Sequence, residues 1–147
     1  MKLTLENKDL RRAINKKTYN DSDVSEIINN IIEANLYIPV LVLNNTGIEM
    51  NEDGISDISI DTKAKLPSLR FEKLGDMLPV FTNGEEFVAY RNGAESRERY
   101  QPFVISFRTL GAFIEDRPEY NGFVLDPCGK KLPFTKEILH TIKMTLE

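Results

Sequence analysis

Apolar positions recur at three- and four-residue spacing in two early segments of the chain. Leu10, Ala13 and Ile14 make the stripe of a short helix over residues 7–17, with Asn7 in position to cap it. Val24, Ile27, Ile28, Ile31, Ile32 and Leu36 mark a second, stronger helix capped by Asp21 or Ser22. Its other face (Ser25, Glu26, Asn29, Asn30, Glu33) is polar and faces solvent by the same period. The pattern then changes. Residues 36–43, LYIPVLVL, are almost wholly apolar and β-branched, as in a buried strand, with Pro39 expected near the strand start or at a bulge. Residues 44–54 form a turn-rich loop, and ISDISID (55–61) alternates like a half-buried strand.

Further strands are expected at 66–74, centred on Leu69 and Phe71, at MLPVFT (77–82), at FVIS (103–106) and at GFVLDP (122–127). Helices are expected at NGEEFVAYRN, ending at Asn92-Gly93, and after Ser106 through Leu110, Phe113 and Ile114, stopping before Pro118. A last helix, capped by Thr135, carries Ile138, Leu139, Ile142 and Leu146. Several strands lie too close together for a helical crossover, so part of the sheet should be antiparallel. The fold class is α+β: one domain over 1–147, a mixed β-sheet with helices packed on it.

The stretch LPVFTNGEEFVAY (78–90) runs from strand through turn to helix, the context of a phosphate loop. It has the single glycine Gly84, followed by Glu85 and Glu86, whereas a phosphate loop needs two glycines and a lysine. Two carboxylates in a first helical turn suit the helix dipole and repel phosphate. The stretch therefore reads as a structural corner, a capping box with Thr82 as N-cap and Glu85 at its third position.

Charge is unevenly placed. The net charge is −4, with 19 Lys and Arg against 23 Asp and Glu. No Lys or Arg falls between Thr18 and Thr62, a segment holding nine acids, so the remainder is 19 − (23 − 9) = +5. That split does not suit a nucleic-acid protein, whose bases dominate one face. It suits a protein partner that reads an acidic flank, here Glu49, Glu52 and Asp53. On the loop 91–100, Arg91, Arg97, Arg99 and Tyr100 are of the residue types interfaces favour.

The acidic loop approaches a calcium loop, with Asn51, Asp53 and Gly54 in register from Glu49. Its first position is Glu and its twelfth is Ile60, so the bidentate ligand is missing and no metal is expected. The lone Cys128 and lone His140 exclude a disulfide framework and a multi-cysteine zinc site. As a catalytic pair they lack any visible oxyanion device. Asp126 ends a strand before Pro127, where aspartate commonly bonds its own turn. No cofactor is expected. No apolar run approaches the roughly 20 residues of a membrane span, and the N-terminus has no signal-peptide core, so the expected compartment is the cytoplasm.

The order of these elements resembles the N-terminal domain of the SseB (enhanced serine sensitivity) family. The resemblance rests on Leu36 to Val40, on Leu78, Pro79, Val80, Phe81 and Thr82, and on Gly122, Val124 and Pro127. It departs at Asp126, where the family usually has Asn, and in the long acidic loop. It implies an α+β domain of bacterial cytoplasmic type and carries over no catalytic residue. The functional expectation is a non-enzymatic protein-binding or regulatory module. The alternative is a small-ligand binder or enzyme whose pocket is built from non-adjacent residues, marked by perturbed carboxylates around Asp126 or Glu86. A homo-oligomer, through an exposed edge at 55–61, is not indicated.

Overall fold

The computed structural model describes residues 4–42, 64–97 and 99–146. In chain order these form α1 (Lys8–Ile14), α2 (Asp21–Ile31), β1 (Asn35–Val42), β2 (Ala64–Lys65), β3 (Leu69–Phe71), β4 (Gly75–Val80), α3 (Gly84–Asn92), a 3-10 turn (Glu95–Arg97), β5 (Tyr100–Ser106), α4 (Phe107–Glu115), β6 (Gly122–Leu125), β7 (Leu132–Thr135) and α5 (Lys136–Leu146). Two sheets result, in the orders β2-β1-β5 and β3-β4-β6-β7. Among the described residues only β4 and β6 run parallel, and every other pairing is antiparallel. An isolated bridge, Tyr37 to Phe81, ties the sheets together through two backbone hydrogen bonds of 2.9 Å. The α+β expectation holds.

Tyr37 spends both its N–H and its C=O on Phe81, so it turns its backbone away from β5. Alternation gives Pro39 the same orientation, and its register partner is Pro102. The missing proline N–H therefore falls in the gap between the Phe81 bridge and the β2 pairing that starts at Leu41. Pro39 thus sits inside a regular strand, not at its start or at a bulge.

The main core gathers Leu10, Ala13 and Ile14 of α1, Ile27 and Ile31 of α2, and Leu110 and Ile114 of α4 onto Leu36, Val40, Leu78, Val80 and Leu125. Phe123 stacks on Phe134 at 4.9 Å, with Phe107 edge-on to both. A second cluster, Tyr37, Phe81, Phe87 and Tyr90, seats α3. Two positions expected on apolar stripes are exposed instead, Val24 on α2 and Ile138 on α5.

Capping differs from expectation at three helices. Asn20, not Asp21 or Ser22, caps α2, in a reciprocal box with Asp23. Asn7 stands at the N-cap of α1 in a left-handed conformation, but its side chain makes no cap bond. It donates instead to the carbonyls of Asn35 (2.8 Å) and Thr82 (2.6 Å). Ser106 caps α4 as expected, accepting from Thr109 N–H. The third difference, at α3, lies in the candidate site.

Candidate functional site

Asn83, not Thr82, caps α3: its side chain accepts from Glu86 N–H at 2.9 Å. The expected capping box of Thr82 with Glu85 does not form. Thr82 is fully buried, and it turns the other way, toward Asp126. Its N–H donates to Asp126 Oδ1 and its hydroxyl to Asp126 Oδ2, each at 2.8 Å. Asp126 lies just past β6 with φ 51°, a left-handed conformation that Asp and Asn tolerate better than other side chains. Its backbone is also committed, with its N–H on Val80 O and its C=O accepting from Gly129 and Lys131. Contrary to expectation, the side chain of Asp126 does not bond its own turn; the backbone C=O closes that turn, and the carboxylate instead locks the turn after β6 onto the end of β4.

Burial raises the pKa of Asp126 from its ordinary value; the Thr82 donors and the Arg11 guanidinium oppose that without cancelling it. Glu86 is raised as well, by its own burial first and then by the charges of Asp126 and Glu85, with Arg11 again opposing. Arg11 Nη2 stands 3.7 Å from Glu86 Oε1. Its Nη1 is buried without a hydrogen-bond partner among the described residues. Gly129 lies so near that a methyl group there would come within 3.0 Å of the Glu86 carboxylate. The carboxylates of Asp126 and Glu86 are thus both shifted upward, with Arg11 opposing each shift.

Beside them runs an open groove of about 1050 Å³, lined by α1 and the start of α3, including Lys8, Arg11, Arg12, Asn83 and Glu85. Asp126 does not line it, and both carboxylate oxygens of Asp126 are occupied by Thr82. The corner has the chemistry of a structural clasp.

The arginine loop is built differently. Arg97 lies over the ring of Tyr90, 4.2 Å from its centroid, and donates to Tyr90 O at 3.1 Å. Arg91 lies 5.2 Å over Phe87. Tyr100, at the start of β5, stands 6.5 Å from Tyr90, and Arg99 is exposed. Three of the four predicted residues are thus joined to one aromatic cluster. Glu49, Glu52 and Asp53, the calcium-like loop and the 55–61 edge lie outside the described residues.

Cys128 is exposed in the turn after β6, whereas His140 lines a groove between α4 and α5; no hydrogen bond joins them. Among the described residues no group of three or more His, Cys, Asp or Glu is placed to hold a metal ion. No described helix is long and apolar enough to cross a membrane.

Sequence reasoning missed the link between Thr82 and Asp126 and the α4–α5 groove. The second had a faint signal in Gly111, which leaves a mid-helix position without a side chain.

Neither a curated relative nor a solved structure of significant similarity was found. The SseB protein N-terminal domain, however, matches residues 10–141, from the first buried leucine of α1 into α5. That span takes in both sheets, the Thr82–Asp126 clasp and the aromatic cluster, and the chain belongs to the SseB family.

Proposed function

We propose that this domain is a non-enzymatic protein-binding module of the bacterial cytoplasm, and that it meets its partner on the face formed by α3, the 3-10 turn and the start of β5. The observation that carries the reading is the stacking of Arg97 on Tyr90 and Arg91 on Phe87. Stacking fixes long side chains that would otherwise lose rotamer freedom on binding, so their remaining N–H donors are offered to a partner's carboxylates at lower entropic cost. Arg99 and Tyr100 extend the same face. Such a surface takes an acidic protein partner. Affinity capture from lysate at low and moderate salt, with the wild type beside an Arg91→Ala/Arg97→Ala/Arg99→Ala variant of matched thermal stability, tests it. A partner held by the wild type and lost by the variant is expected. Recovery of nothing above background, or equal recovery by both, refutes it.

A second reading, a small-ligand binder, is favoured by one observation: Glu86 and Arg11, one with a raised pKa and one with a free buried donor, stand beside the α1–α3 groove. A thermal-shift screen across metabolites and metals separates the two readings. A ligand at a hundred times its dissociation constant stabilises the fold by about 2.7 kcal/mol. No shift with any small molecule removes this second reading.

A further inference from the structure

We propose that the groove between α4 and α5 docks an amphipathic helix with an apolar face and acidic flanks, supplied by a protein partner. The groove encloses about 260 Å³, below the usual range for a small-molecule pocket and sized for a few inserted side chains. Its floor is apolar, from the buried Phe107, Leu139 and Ile142, with exposed Ala112 also lining it. Gly111 opens it: a Cβ built there meets nothing within 4 Å. Met144 stands one helical turn beyond His140, which lines the groove, and is 58% exposed. Its side chain is of a type that adapts to different partners.

Charge selects the occupant. The groove's lining carries the fixed cations Arg108, Lys136 and Lys143 against the single anion Glu115. In a chain of net charge −4 this is a local excess of positive charge. Two of these cations already have partners, Arg108 with Glu33 at 3.5 Å and Lys143 with Glu115 at 3.3 Å. Both pairs are well exposed, and pairs of this kind are weak enough to be exchanged for a partner's carboxylates. Among the described residues the Lys136 side chain donates to a carbonyl alone, that of Arg117. Two helices with an apolar trough between them suit a third helix that anchors at i, i+3, i+4 and i+7 and sets its acids against the rim.

The surface is separate from the arginine face: α4 and α5 pack on the main core, α3 on the Tyr37–Phe81 cluster. The probe is a fluorescent amphipathic peptide of roughly 18 residues, five helical turns, with leucines at those anchor positions and glutamates on the flanks. Fluorescence anisotropy should show saturable binding, weakened at least about tenfold (1.4 kcal/mol) by Gly111→Leu, which fills the trough, and by Lys136→Glu/Lys143→Glu. Circular dichroism establishes that each variant is folded. Arg97→Ala should bind the peptide as the wild type does, so failure of the arginine face leaves this result intact. Equal binding of a peptide with lysine in place of every glutamate overturns the proposal. So does equal binding by Gly111→Leu, or no binding at millimolar peptide. Displacement of the peptide by decanoate makes the groove a small-carboxylate site and also overturns it, as does a dimer in sedimentation that Gly111→Leu abolishes.

Discussion

Replacing Thr82 by Val removes one hydroxyl and almost no volume, so it isolates the clasp between the end of β4 and the turn after β6. Thr82 is fully buried and Asp126 is 3% exposed, so no water replaces the lost donor without the turn opening. Asp126 Oδ2 loses the hydroxyl that donates at 2.8 Å, while Oδ1 keeps the Thr82 N–H. A hydrogen bond to a charged group contributes about 1.5–3 kcal/mol, and this one is buried, so the expected loss near neutral pH falls in that range. For a chain of this length, with roughly 2–4 °C per kcal/mol, the midpoint of thermal unfolding should drop by about 3–12 °C. Urea unfolding followed by circular dichroism gives the free energy directly, and an unchanged m-value would show that the native state stayed compact.

The pH dependence of the same variant is the sharper test. Losing a donor raises the pKa of Asp126 further in the folded state, from a value burial already holds high. The added penalty is then absent below the ordinary carboxylate pKa, where Asp126 is protonated both folded and unfolded. It grows as pH rises through the folded pKa and is complete above it. Thr82→Val should therefore cost most at neutral pH and approach the roughly 0.5–1.5 kcal/mol of a neutral hydrogen bond in acid. A loss below about 0.5 kcal/mol at neutral pH, or one that does not change with pH, refutes the clasp.

Asp126→Asn keeps the shape and removes the buried charge; it should stabilise the fold at neutral pH, with the gain vanishing below the ordinary carboxylate pKa, as pH-dependent urea melts would show. Two glycines should respond oppositely. Gly122 has φ 152°, and a Cβ there would fall on the Phe134 carbonyl and 2.7 Å from Thr135 Cα, so Gly122→Ala should cost at least the roughly 1–3 kcal/mol of backbone strain. Gly111→Ala meets no neighbour and should stabilise α4 by about 0.5–1 kcal/mol, both readable by thermal melts. Burial pushes the Tyr120 phenol up to about 12, where it donates to Pro67 O at 2.9 Å. Stability should hold up to the ordinary tyrosine pKa and fall as pH rises toward 12, and Tyr120→Phe should flatten that alkaline limb.

The helices were legible because their apolar residues repeat with the helical period: the stripe of α1 is buried as that period requires, as are Ile27 and Ile31 of α2. The corner was ambiguous for a definite reason. Thr82-Asn83-Gly84-Glu85-Glu86 holds two capping residues and two glutamates in succession, so the cap-to-Glu spacing fits both Thr82 with Glu85 and Asn83 with Glu86. Local rules rank the two almost equally. The decision comes from Asp126, 44 residues away, which takes both Thr82 donors and leaves Asn83 to cap the helix. Strand β7 was hidden for a related reason. Its four residues include Pro133, which reads as a breaker, yet β7 is the edge of its sheet, where a missing N–H costs little.

The candidate surfaces were illegible for a different cause: they are assembled between elements. The stretch 78–90 looked like chemistry because it is dense with polar residues at a turn, but the structure spends those residues internally. Thr82 holds Asp126 and accepts from Asn7, Asn83 caps α3, and Phe81 bridges Tyr37, whose hydroxyl in turn accepts from Leu5 N–H. Four segments distant in sequence converge there, which makes the corner a joint of the fold. Polar groups whose hydrogen bonds are already made have little to offer a ligand. Donors that keep free capacity lie instead on the stacked arginines of α3 and the 3-10 turn and on the cationic rim of α4 and α5. Both surfaces come from the part of the chain that carries net positive charge. An acidic partner would therefore meet attraction at either face, and the attraction would weaken as salt shortens the roughly 10 Å Debye length.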